Sequence, residues 1–306
     1  MNGEMRTAAA ARAGWFGSAR EIAGLLSGVG YLADEHVWTV LWLADQLGKP
    51  ILVEGPAGTG KTELATSTAA MTGARLIRLQ CYEGLDEGKA LYEWNYSKQL
   101  LRILADGVGG LSRPGSWTDL ESGIFTDDFL LPRPLLAAIR AAEPVVLLID
   151  EVDRLDIEAE ALLLEILSEY QISIPELGTL KGASVPIVFL TSNGTRDLSE
   201  ALRRRCLYLY IGYPPAERER EIVRTRVPGI SEHLAGQIAA VVASLRRLDI
   251  RQHPSVAQTI EWARTLLALG AESLDPGLVA ESLRILLHHQ SDIEVAASEL
   301  ARDHLP

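Results

Sequence analysis

The chain has 306 residues, 47% of them hydrophobic and 23% charged. That is the composition of a globular protein with room for two domains, not of a disordered, collagen-like or coiled-coil chain. Asp and Glu outnumber Lys and Arg by 41 to 29, a formal net charge of -12, which argues against non-specific duplex binding because that needs cations to displace counterions.

Residues 1 to about 18 are rich in Ala, Gly and Arg with weak periodicity, and an N-terminal arm is expected over 1–30. No basic-then-apolar order with a cleavage site marks a signal peptide, and no run reaches the roughly 18 apolar residues of a membrane span. From 34 to 47, Val37, Val40, Leu41, Leu43 and Leu47 recur near helical spacing, and Gly48-Lys49-Pro50 stops the helix before Ile51-Leu52-Val53. Further strand-like runs at 75–80, 145–149, 187–191 and 207–211 alternate with helical or polar segments, which predicts an α/β fold with a mostly parallel, covered sheet. The Gly- and Ser-rich stretch 107–117 reads as a loop. After Tyr213, Pro214-Pro215 is followed only by helical segments, at 217–226, 231–246, 255–268 and 278–288. The expected division is therefore a sheet domain over 31–213 and a helical domain over 214–306. Cys81 and Cys206 make no disulfide framework and fit a reducing cytosol; both read as strand or core residues, and a cytoplasmic protein is expected.

Gly55-Pro56-Ala57-Gly58-Thr59-Gly60-Lys61-Thr62 fits G-x-x-x-x-G-K-[ST] in full, between a predicted strand and a predicted helix that opens at Glu63. Glycines let the backbone bend until several amide N–H groups point at phosphates, and the helix N-terminus adds its dipole. Lys61 would reach the β- and γ-phosphates of ATP, and the Thr62 hydroxyl would ligate Mg²⁺. The run Val145 to Ile149 ends in Asp150-Glu151. Asp150 fits a carboxylate that organises Mg²⁺, and Glu151 a base that orients and deprotonates an attacking water. The run Ile187 to Thr191 ends in Ser192-Asn193, and a polar side chain there would lie beside the γ-phosphate, since open parallel sheets bind ligands at the carboxyl ends of their strands. Arg203-Arg204-Arg205 precede the last strand. An arginine at this edge can reach a nucleotide held by a neighbouring subunit, where stabilising transition-state charge is worth on the order of 10³ to 10⁵ in rate; a merely solvated basic cluster is the alternative for any one of the three.

These elements, in this order and followed by a small helical domain, resemble the AAA+ ATPases. Gly30-Tyr-Leu-Ala-Asp34, Asp150-Glu-Val-Asp-Arg154 and Thr191-Ser-Asn193 look like the MoxR-type branch. The block from Gln80 to Trp94 and Leu207-Tyr-Leu-Tyr210 are similar to the MoxR-type ATPases found with molybdenum-containing carbon monoxide dehydrogenase and related hydroxylases. The resemblance implies a P-loop core with a parallel five-stranded sheet between helices, plus an all-α lid. It also implies a hexameric ring with ATP and Mg²⁺ at subunit interfaces, remodelling or maturing a client metalloenzyme with a von Willebrand factor A domain partner. On this resemblance Gly55, Gly60, Lys61 and Thr62 match Walker A, Asp150 and Glu151 match Walker B, and Asn193 matches sensor 1. Arg205 matches the arginine finger best, with Arg204 next to it. Inserts at 86–103 and a hairpin at 171–184 would face the ring's pore and the client; core packing is an equal reading for Tyr92, Trp94 and Tyr96. The lid departs from the pattern, because His253-Pro-Ser-Val-Ala257 carries no sensor 2 arginine; Arg251 or Arg264 would have to substitute. A P-loop kinase and a nucleic-acid motor are the competing readings. Glu151 and the lack of a basic acceptor lid oppose the first, and the charge of -12 without a basic helix-turn-helix or stacking groove opposes the second.

Overall fold

The computed structural model describes residues 14–108, 123–182 and 184–300. Ala19–Gly28 (α1) and Glu35–Leu47 (α2) precede Ile51–Glu54 (β1), Lys61–Thr72 (α3) and Arg75–Gln80 (β2). An insertion follows, with Glu87–Ala90 (α4), Tyr92–Trp94 (β3), Tyr96–Val108 (α5) and Leu130–Pro132 (β4). Then come Pro134–Arg140 (α6), Val145–Asp150 (β5), Ile157–Glu169 (α7), Gln171–Ile174 (β6) and Gly178–Lys181 (β7). Ile187–Ser192 (β8), Glu200–Arg205 (α8) and Leu207–Tyr210 (β9) complete this part. Among the described residues beyond Tyr210 there are helices only: Ala216–Arg226 (α9), Glu232–Leu245 (α10), Val256–Ala268 (α11), Pro276–Leu286 (α12) and Gln290–Leu300 (α13).

The main sheet has five strands in the order β2-β5-β8-β1-β9, all parallel. Sequence and position agree for a physical reason. The inner strands β5 and β8 are buried at every position, as strands covered on both faces must be, so they read as unbroken apolar runs. The edge strand β2 alternates instead. Successive side chains point to opposite faces. Leu147 and Ile149 join Val188 and Leu190 in a core beneath α6 and α7. Val146, Leu148, Ile187 and Phe189 join a second core beneath α1, α2 and α3. A third core, from Val223 to Ala296, belongs to the C-terminal helices.

The expected helices and strands are present, with ends shifted by a residue or two. Within the stretch expected as an arm, residues 1–13 lie outside the described residues, whereas Phe16, Ile22 and Leu26 are buried in the second core, and the Phe16 N–H donates to Asp45 Oδ2 at 3.1 Å. This part of the chain is packed on the sheet domain. From 109 onward the loop expected at 107–117 lies outside the described residues. The hairpin forms as β6 and β7, antiparallel, but Ile172 and Ile174 turn into the core. Of the three aromatics in the insertion, Trp94 is buried and meets Phe125 edge-on, with ring centroids 5.1 Å apart. Tyr92 packs against the same core, and only Tyr96 stands in solvent. No helix among the described residues is long and apolar enough to cross a membrane.

Phe189 is fully buried at the centre of the sheet. Phe189→Ala is expected to destabilise the protein by about 3–5 kcal/mol, measured as a lower denaturant midpoint; a loss below about 1 kcal/mol would mean that the cores on the two faces do not depend on this strand.

Candidate functional site

The candidate residues come together because β1, β5 and β8 are adjacent and parallel, so their carboxyl ends open on the same side of the sheet. The loop from Gly55 to Gly60 bends between β1 and α3, and two of its glycines have no room for a side chain. A Cβ on Gly55 would sit 2.0 Å from Ile211 O, and one on Gly58 would sit 2.2 Å from the Ser255 Cβ; Gly58 also has φ +72°, a left-handed conformation that favours glycine. Thr59 Oγ1 closes the loop by donating to Pro56 O at 3.1 Å.

Lys61 is buried, and its ammonium donates to Gly55 O at 2.7 Å, Pro56 O at 2.6 Å and Asn193 Oδ1 at 2.8 Å. Burial lowers its pKa from the ordinary lysine value, opposed by the carboxylates of Asp153, Asp150 and Glu151. Asp150 is nearly inaccessible. Its Oδ1 accepts from Thr62 Oγ1 at 3.0 Å and Thr191 Oγ1 at 2.5 Å, and its Oδ2 pairs with Arg78 at 2.5 Å. A hydroxyl and a buried carboxylate converging at the start of α3 form the hard oxygen donor set that suits Mg²⁺.

Glu151 has φ +58°, rare for a residue other than glycine and frequent where a side chain is aimed for function. Its N–H donates to Thr191 Oγ1 at 2.9 Å, and its carboxylate meets Gln80 Nε2 at 3.2 Å and Arg154 Nε at 2.8 Å. Asn193 is held from behind by Asp153, whose Oδ2 accepts from the Asn193 N–H at 3.2 Å, the Thr195 N–H at 3.0 Å and Thr195 Oγ1 at 2.6 Å. Desolvation raises the Asp153 pKa, but these hydrogen bonds outweigh it and hold the carboxyl below the usual range.

A cavity of about 800 Å³ runs from these groups towards the C-terminal helices, within the range of small-molecule sites. Ala57 to Glu63, Asp150, Glu151 and Asn193 line one end. Tyr31, Val37, Ile211, Pro214, Ile222 and Ile260 supply apolar wall elsewhere. Tyr31 hydrogen-bonds Gly60 O at 3.3 Å, and burial, with Glu63 and Asp34 adding to it, raises its pKa above the ordinary tyrosine value.

The three arginines before β9 have different surroundings, and none lines the cavity. Arg203 is bound within the subunit, its two Nη atoms facing both Glu54 oxygens at 3.3 and 3.4 Å. Arg204 is exposed beside Glu200, and Arg205 donates to Ser168 Oγ at 2.6 Å and Ala201 O at 3.1 Å. Of the two arginines considered as lid substitutes, Arg264 lines the cavity and Arg251 does not.

The AAA domain (dynein-related subfamily) matches residues 50–206, just over half of the chain. The chain belongs to this family. The AAA match runs from the residue before β1 to the arginine cluster, so it takes in every strand of the main sheet but β9. Among solved structures, the RuvB Holliday junction branch migration motor of Thermotoga maritima is similar, at 18% identity and TM-score 0.46 over 88% of this chain and 70% of that one. A point variant of the same protein gives 18% identity and TM-score 0.46 over 89% and 71%. No curated protein matches the chain.

Around this AAA core stand residues that sequence reasoning gave no role. Arg218 and Arg226 of α9 line the cavity; Arg218 pairs with Asp34 at 2.8 Å, and Arg226 with Glu63. Their spacing matches no motif, and only packing of α9 on the sheet domain brings them there. The Gly30 to Asp34 segment is visible as a pattern, but its place in the cavity wall is not. Cys81 and Cys206 have no role in the site: burial pushes both thiols up to about 12, far from reactive thiolates.

Thr191→Val removes the hydroxyl that joins Asp150 to the Glu151 N–H, and is expected to cost about 1–3 kcal/mol by denaturant unfolding; no loss would mean the Glu151 turn needs no such partner. Asp153 contributes stability that is full above the pKa of an unfolded carboxyl, about 3.9, and is lost as pH falls through its depressed folded value. Asp153→Asn should therefore flatten the acid limb of the stability curve between those two values, and an unchanged limb would remove Asp153 from the account.

Proposed function

We propose that the chain binds and hydrolyses ATP with Mg²⁺ and works as a MoxR-type AAA+ ring, with residues 31–213 as the nucleotide-binding domain and 214–306 as the lid. The convergence of Lys61, Thr62, Asp150, Glu151 and Asn193 at one end of the cavity carries this reading. Backbone N–H groups from Ala57 to Gly60 cradle the phosphates, with Gly55 and Pro56 as the bend that leads into them, Gly58 and Thr59 within the loop and Glu63 in the first turn of the helix behind. Lys61 exchanges its carbonyl partners for phosphate oxygens. Thr62 and Asp150 would hold Mg²⁺, which would supply charge neutralisation at the phosphates. Glu151, released from Gln80 and Arg154, takes the proton of the attacking water, and Asn193 fixes that water beside the γ-phosphate. Arg205, or its neighbour Arg204, reaches from one subunit to the nucleotide of the next. Its place on the surface and outside its own cavity supports an action on a neighbouring subunit.

The MoxR-type motifs support a client metalloenzyme of the molybdenum hydroxylase class as the target of remodelling or maturation, with a von Willebrand factor A domain protein as partner. Copurification of either with the Glu151→Gln protein in the presence of ATP would support this. Turnover stimulated by duplex DNA in a salt-sensitive manner would replace it with a nucleic-acid motor.

Glu151→Gln is expected to keep ATP binding and lower turnover by about 10²- to 10⁴-fold, followed as phosphate release; unchanged hydrolysis removes the general base from this position. Arg205→Ala is expected to leave affinity for ATP near that of the parent and to lower turnover by about 10³-fold in the assembled state. A normal rate there moves the finger to Arg204.

A further inference from the structure

The C-terminal helices touch the phosphate loop at the first turn of α11. The Val256 N–H donates to Gly58 O at 3.0 Å, and Ser255 packs where a Gly58 side chain would be. This turn reads Ser255-Val256-Ala257-Gln258 and carries no cation. The contact is between two backbones.

A buried network sets the position of that turn. Ser255 and Gln258 form a reciprocal capping box, at 3.2 and 2.8 Å, which makes the turn stiff. One residue earlier, Pro254 O accepts from Arg246 Nε at 2.9 Å. Arg246 is buried and grips both oxygens of Glu219, Nη2 to Oε1 at 2.9 Å and Nη1 to Oε2. Glu219, on α9, also accepts from Thr259 Oγ1 of α11 at 2.7 Å. The guanidinium lies 4.4 Å from the centroid of the Tyr213 ring, a cation–π stack, and Tyr213 meets the His253 ring at 6.3 Å. Tyr213 stands in the crossing from β9 to α9 and lines the cavity. One arginine thus holds the interdomain crossing, α9, α11 and the carbonyl that precedes the contact with Gly58. Arginine suits this task because its planar fork makes directed bonds to several partners at once, whereas lysine is a point charge.

We propose that Arg246 is a positioning residue for the phosphate loop: it seats the first turn of α11 so that the Val256 N–H meets Gly58 O, and through that bond the helical region follows the loop as nucleotide enters and leaves. The proposal rests on the ATPase reading above. Phosphates drawn to the loop's amides reorient its peptide groups, and the Gly58 carbonyl carries that movement to α11.

The test uses the full chain with ATP as probe. Val256 is the first residue of α11, where proline is tolerated, and Ser255 already has the extended backbone, φ -78° and ψ 160°, that a following proline requires. Val256→Pro therefore keeps the helix, while its ring carbon, in place of the N–H, forces the turn off Gly58 O. It is expected to raise KM for ATP about fivefold, the scale of one backbone hydrogen bond, with kcat within about twofold and a nucleotide-free unfolding midpoint within about 2 °C of the parent. Val256→Ala keeps the N–H, and its KM should stay well below that of Val256→Pro. Arg246→Lys should raise KM by a similar factor, and combining it with Val256→Pro should add nothing, because both changes act on one contact. A parental KM in Val256→Pro, or additive effects in the double variant, overturns the proposal. A parent chain that neither binds nor turns over ATP overturns the ATPase reading instead.

Discussion

Asp150 ends the inner strand β5 with a carboxylate that is almost wholly inaccessible, and a carboxylate in such a place must be hydrogen-bonded or paired. Its partners come from three elements: Thr62 from α3, Thr191 from β8 and Arg78 from β2. Satisfying this one charge ties the start of the phosphate-loop helix to the ends of three neighbouring strands. Thr191 passes the constraint on, since the hydroxyl that donates to Asp150 also accepts from the Glu151 N–H and so supports the left-handed turn that aims Glu151. Asn193, two residues further, meets Lys61 across the same opening.

The joint between the two parts obeys the same electrostatics. The chain is acidic overall, yet three arginines are paired with carboxylates where the parts meet or where the crossing is held: Arg218 with Asp34 and Glu221, Arg226 with Glu63 and Arg246 with Glu219. The first two are partly exposed and contribute little each. The third is buried, and a buried pair fixes geometry more reliably than it adds stability. Its ring contact with Tyr213 and its bond to Pro254 extend that geometry to the cavity wall and the phosphate loop.

Much of the fold was legible because its signals are local. β5 and β8 announce themselves as unbroken apolar runs since helices cover both their faces, and Gly48-Lys49-Pro50 or Pro214-Pro215 stop elements by backbone chemistry alone. The short strands β3 and β4 were not legible: three residues each, paired across a long separation, leave no periodicity. Nor was the packing of Phe16 to Gly28, because Ala- and Gly-rich sequence with weak periodicity becomes ordered only against a partner surface.

By itself the sequence determined which candidate residues stand at the strand ends. Gly55 to Thr62, Asp150-Glu151 and Asn193 each sit within a few residues of the strand that carries them, and a parallel sheet brings such ends together whatever the loops do. Tertiary structure alone decided the rest of the cavity. Arg218, Arg226 and Tyr213 come from segments whose local sequence has no reason to meet a phosphate loop, and the contact of Val256 with Gly58 is between backbones, which every residue but proline can offer. Only the packing of the helical core on the sheet domain selects which of them do.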